Sequence, residues 1–115
     1  MPVVAAAIPL LPGKSEAWRR WVQELQESRR ADYAAFLSRL GVLHARFWIA
    51  EMASGEVVVS YLDVKDPIAL TVALEMSQHP FDIWYRQQLR EFHGADVGPF
   101  YRWRLDQVIV WPNRE

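Results

Sequence analysis

The chain has 115 residues, 51% apolar and 23% charged, which fits one globular domain over residues 1–115 with no room for a second core. Thirteen basic residues face 14 acidic ones, and a net charge of −1 argues against a nucleic-acid partner, which calls for a clustered basic face. The absence of cysteine excludes disulfides, thiolate metal sites and cysteine nucleophiles, and no apolar run approaches the roughly 18 residues of a membrane span.

The apolar N-terminal stretch Met1 to Leu11 lacks a basic leader and is interrupted by Pro9 and Pro12, so it reads as a first strand, Val3 to Leu10, not a signal peptide. A cytoplasmic location is the default expectation. Pro12-Gly13 marks a turn. From Lys14 to Leu40 the residues Trp18, Trp21, Val22, Leu25, Tyr33, Phe36, Leu37 and Leu40 recur at spacings of three and four, with Arg29 and Asp32 interrupting the stripe. That pattern predicts one long helix with a buried face, closed by Gly41.

Leu43 to Met52 reads as a second strand, Ala53 to Glu56 as a hairpin turn and Val57 to Val64 as a third strand. Asp66-Pro67 is a helix start, since the carboxylate caps free N–H groups and proline suits the first helical position. The second helix, Pro67 to Phe92, should break at Ser77-Gln78-His79-Pro80, because proline disfavours helical geometry at the residue before it. Phe81, Trp84, Tyr85, Leu89 and Phe92 form its second apolar stripe, Gly94 closes it, Ala95 to Phe100 is a loop, and Arg102 to Trp111 is a last strand.

The order β-α-β-β-α-β predicts an α+β fold of the ferredoxin-like kind, a four-stranded antiparallel sheet with two long helices on one face. The open face of such a sheet should alternate apolar with polar residues. Here Val57 to Leu62 is largely apolar on both faces and Val108 to Trp111 is wholly so, while His44, Arg46, Trp48 and Met52 face away from Ala45, Phe47 and Ile49. A sheet apolar on both sides needs a second cover, and a homodimer through the open sheet face supplies it.

Element order, helix length and two-sided strands together make the chain resemble the dimeric α+β barrel superfamily, which includes antibiotic-biosynthesis monooxygenase-like and haem-degrading proteins. Pro12-Gly13-Lys14 before a Trp-rich helix, and His79-Pro80-Phe81-Asp82-Ile83-Trp84, resemble a small uncharacterised bacterial branch of it. The resemblance implies a cleft between helices and sheet that holds a small apolar or aromatic molecule. Trp18, Trp21, Phe81, Trp84 and Tyr85 on helices, with Trp48, Trp103 and Trp111 on strands, are the rings available to line it or simply to fill the core and interface.

Candidate ligand-binding residues are Trp18, Trp48, Phe81, Trp84 and His93. His79, at the helix break, is a candidate acid or base with Tyr85 or Glu75 nearby, and is equally suited to starting the next helix. Trp84 and His93 invite comparison with the tryptophan and histidine of haem-degrading relatives. However, their separation of nine residues differs from the ten of those enzymes and puts the side chains on opposite helix faces, and Ala5-Ala6-Ala7 stands where those relatives carry an asparagine. Spacing offers no metal motif, phosphate loop or nucleophile elbow, and no cofactor is implied. Three readings therefore stand: a protein that binds or transforms a small apolar molecule, a non-catalytic dimerising module, and a haem-binding or haem-degrading protein.

Overall fold

The computed structural model describes residues 2–102 and 105–112. Strands β1 (Val3–Pro9), β2 (Val42–Met52) and β3 (Gly55–Val64) form an antiparallel sheet in the order β1-β3-β2. Helices α1 (Ser15–Gln26), α2 (Arg30–Arg39), α3 (Pro67–Met76) and α4 (Pro80–His93) follow the chain around it, and a short 3₁₀ helix, Gly98–Arg102, comes after them. The class is α+β. The sheet has three strands, which corrects the expectation of a four-stranded ferredoxin-like sheet.

The missing fourth strand has a physical reason. Residues 105–110 take no strand pairing, and Val108, Ile109 and Trp111 are exposed. Composition favours a strand there, yet a strand exists only when another supplies the ladder of hydrogen bonds, and that requirement is non-local. Trp103, expected in that strand, lies outside the described residues.

Register sorts the sheet into two faces. Val4, Ala6 and Ile8 of β1 and Val58, Ser60, Leu62 and Val64 of β3 are buried, and Ala45, Phe47 and Ile49 of β2 pack on the same core. On the other face Ala7 and Trp48 flank Val59, and Ala5 and Arg46 flank Tyr61. Trp48, Met52 and Tyr61 are exposed there, so this face carries large apolar groups to the surface.

The first helical stretch is two helices, not one. Glu27 leaves helical geometry (φ −117°, ψ −90°), and the Arg29 amide donates to the Glu24 carbonyl, 2.9 Å away and five residues back. The Arg29 guanidinium also bonds the Glu24 carboxylate at 2.7 Å and lies 4.0 Å from the centre of the Trp84 ring. A salt bridge and a cation–π contact thus hold a break that contains no proline or glycine.

The second break follows from local chemistry. Asp66 accepts hydrogen bonds from the amides of Ile68 and Ala69, and Pro67 opens α3. His79 then caps α4, its Nδ1 accepting from the Phe81 amide at 3.2 Å. Gly94 ends α4 with φ 75°, the left-handed conformation that glycine adopts without strain.

Asp82, 1% exposed, fastens these pieces. It accepts from Arg39 at 2.5 and 3.2 Å and from the Ser77 hydroxyl at 2.6 Å, joining α2, the α3–α4 break and α4. Burial pushes its carboxyl up, but the Arg39 and Ser77 hydrogen bonds and the nearby positive charge outweigh that and hold it below the usual carboxylate range.

Candidate functional site

The helices and the sheet do not close completely on each other. Between them lies a cavity of about 360 Å³. Its floor is Ile8, Ala45, Phe47, Val58 and Leu62 of the sheet, and Trp18, Trp21, Tyr33, Phe36, Leu74, Tyr85 and Leu89 contribute helical walls. Such a volume, mostly apolar with a few polar groups, is typical of a small-molecule site.

Three tyrosines from different elements meet the cavity: Tyr33 of α2, Tyr85 of α4 and Tyr101 of the 3₁₀ helix. Tyr33 and Tyr85 stack, with ring centroids 6.2 Å apart and planes 14° from parallel. The Tyr101 hydroxyl donates to Ser60 Oγ at 3.1 Å, anchoring the 3₁₀ helix to β3. Burial pushes the Tyr33 phenol up to about 12 and raises Tyr85 and Tyr101 as well, so all three are neutral at ordinary pH.

Trp21 stands among these rings, 5.0 Å from Tyr85 and 5.2 Å from Phe92 between centroids. Its side chain is buried, and its indole Nε1–H has no hydrogen-bond partner among the described residues. An unmet buried donor costs about 1–3 kcal/mol, and the Trp21 side chain lines the cavity.

His93, in the last turn of α4, also lines the cavity. Its Nδ1 lies 2.8 Å from the Pro9 carbonyl oxygen. A carbonyl only accepts, so Nδ1 carries the proton and Nε2 of the neutral ring keeps a free lone pair. Burial lowers this imidazole below its ordinary value, against the opposing effect of the Pro9 bond.

Of the residues singled out from the sequence, the cavity takes Trp18, Trp21, Tyr85 and His93. Phe81 is buried in the core between Phe36 and Trp84, outside the lining. Trp84 sits under Arg29, apart from the cavity that His93 lines. Trp48 lies on the opposite, outward face of the sheet. His79 is committed to capping α4 and reaches Asp82 at 3.9 Å, away from the cavity.

Sequence reasoning gave Tyr33, Tyr101 and Gln26 no site role, although all three line the cavity. Tyr33 was visible as part of the apolar stripe, whereas Tyr101 had no local signal. Among the described residues no group of three or more His, Asp or Glu side chains is placed to hold a metal ion.

The fold and the site together define a class: an α+β domain with a three-stranded antiparallel sheet and an aromatic cavity between sheet and helices. Comparison with protein-family models, curated proteins and solved structures finds no match.

Proposed function

We propose that the protein binds a small, neutral, largely aromatic molecule in the cavity between its sheet and its helices. The observation that carries this reading is the pairing of a space of about 360 Å³ with the unpartnered indole N–H of Trp21 beside it. Rings on the wall offer edge-to-face and stacked contacts. Trp21 offers a donor to a carbonyl, ether or ring nitrogen, and neutral His93 offers an acceptor at Nε2. The three raised tyrosines contribute no negative charge that would attract a cation.

His93 and Tyr85 are the side chains best suited to any proton transfer at this site, His93 as base and Tyr85 as hydrogen-bond donor. A thermal-shift screen of neutral aromatic compounds tests the binding reading. Hits that stabilise the protein and disappear when Ala45→Trp fills the cavity floor are expected. A screen without hits, or hits indifferent to Ala45→Trp, overturns the reading.

The outward sheet face supports a second, compatible reading, in which the protein is a homodimer through that face. Trp48 and Tyr61 lie exposed on that face without a cover among the described residues. Light scattering at micromolar concentration distinguishes a dimer from the 13.4 kDa chain.

A further inference from the structure

The C-terminal segment is the most unusual stretch of surface in the molecule. Val108, Ile109 and Trp111 are 90, 81 and 90% exposed, and the segment lies outside any helix or strand. Four consecutive apolar residues, Val108 to Trp111, carry no charge, and both sides of an extended Val-Ile-Val-Trp run are sticky. A monomer in water has no use for such a stretch.

The sheet offers a matching vacancy. β1 pairs with β3 on one side and with no other strand among the described residues. Exposed edges are normally guarded by charge or a bulge. β1, Val3–Pro9, has neither and carries a proline only at its last residue, whereas the other edge strand, β2, carries His44, Arg46 and Glu51 and a register irregularity near its start. An uncharged edge and a strand-like segment whose last four residues, Val108 to Trp111, carry no charge thus occur in one chain. The 3₁₀ helix that precedes the segment packs against β1.

We infer that two copies exchange these C-terminal segments, residues 105–111 of one adding as a fourth strand to the β1 edge of the other. This inference rests on the homodimer reading, deepens it, and is independent of the cavity. The arrangement is reciprocal, as two-fold symmetry requires, and it removes both unguarded edges at once. It also continues the apolar outward face: alternate side chains of the added strand lie in line with Ala5 and Ala7 and beyond them Val59 and Tyr61. A standard interface buries about 800 Å² per partner, and large rings such as Trp48, Tyr61 and Trp111 contribute on the order of 100–200 Å² each, so face and exchanged strand together reach that scale.

The absence of native cysteine makes the test clean. One preparation carries Ala7→Cys and a size tag, and another carries Val108→Cys. The two are mixed, allowed to exchange and treated with a short bismaleimide. Exchange predicts a mixed tagged–untagged product as the main cross-link, and predicts that the double variant Ala7→Cys/Val108→Cys links chain to chain. Closure of that double variant within one chain overturns the inference. So does a dimer by light scattering that yields no mixed product, which leaves the face-to-face dimer standing and removes the exchange. A monomer by light scattering overturns both. Ile109→Asp is the second probe: its side chain is exposed in the single chain, so the fold should survive while dimer dissociation strengthens at least tenfold. An unchanged dimer affinity speaks against exchange.

Discussion

Tyr33 and Tyr85 lie nearly parallel, 6.2 Å between ring centroids and 14° between planes, and stack across the junction of α2 and α4. Phe36 closes the group with its centroid 4.3 Å from Tyr85. The two phenols therefore face a cavity that is polar at one point and aromatic around it.

Their burial gives a prediction at high pH. Phenols raised in the folded state are deprotonated first in the unfolded state, so their contribution to stability is complete below about 10 and is lost as pH rises toward the folded values. For Tyr33 the window runs from the ordinary phenol value of 10.0 to about 12. Spectrophotometric titration should show three of the four tyrosines, Tyr33, Tyr85 and Tyr101, ionising late or together with unfolding. Ordinary, reversible ionisation of all four with the fold intact contradicts the burial.

Trp21→Phe separates a structural role from a binding one. The smaller ring forfeits buried area, but it also removes an unmet donor worth about 1–3 kcal/mol, so denaturant unfolding should change by no more than about 1 kcal/mol. Affinity for a ligand with an acceptor group should fall about tenfold, or about 1.4 kcal/mol. Unchanged affinity places the indole N–H outside the recognition.

His93 sets the pH dependence on the acid side. Its folded value is lowered, so the unfolded chain takes up the proton first: the contribution to stability is complete above about 6.5 and is lost as pH falls through the lower folded value. Binding of a neutral aromatic ligand should weaken over the same range, since a charged ring at the wall disfavours it. Isothermal titration across that range should show the loss in the parent protein and none in His93→Phe.

Asp82→Ala should destabilise the fold by about 3 kcal/mol, because it strands Arg39 and unties α2 from the start of α4. The Asp82 contribution is complete above the ordinary carboxylate value near 4 and is lost as pH falls through the lower folded value. Urea unfolding of parent and variant at neutral pH and in acid should therefore converge as the pH drops.

Much of the architecture was legible in local chemistry. Asp66-Pro67, Gly41, Gly94 and the break before Pro80 are features whose cause lies within a few residues, and each stands where the sequence places it. The strand faces were legible for a similar reason, because side chains alternate strictly along a strand. Trp48 outward and Phe47 inward follow from parity.

What escaped depends on distant partners. The apolar stripe passes through residues 27–29 unbroken in kind, and the break there is held by Glu24 and by Trp84, the latter 55 positions from Arg29 by their numbers. Val108 to Trp111 has strand composition without a strand to join in the described sheet. The cavity was implied only as a cleft by resemblance, since an amphipathic pattern tells which side chains point inward and not whether they fill the space. His79 and Trp84 were attractive for their place beside a helix break, yet the break is a cap and the cavity lies elsewhere, beside His93 and Tyr85.

Titration with the neutral fluorophore N-phenyl-1-naphthylamine asks whether the space between sheet and helices is a binding site. A binding site there gives saturable enhancement at one dye per chain, with quenching of tryptophan emission, and loss of both in an Ala45→Trp variant whose far-ultraviolet circular dichroism is unchanged. Non-saturating enhancement, or saturation that Ala45→Trp leaves intact, contradicts it.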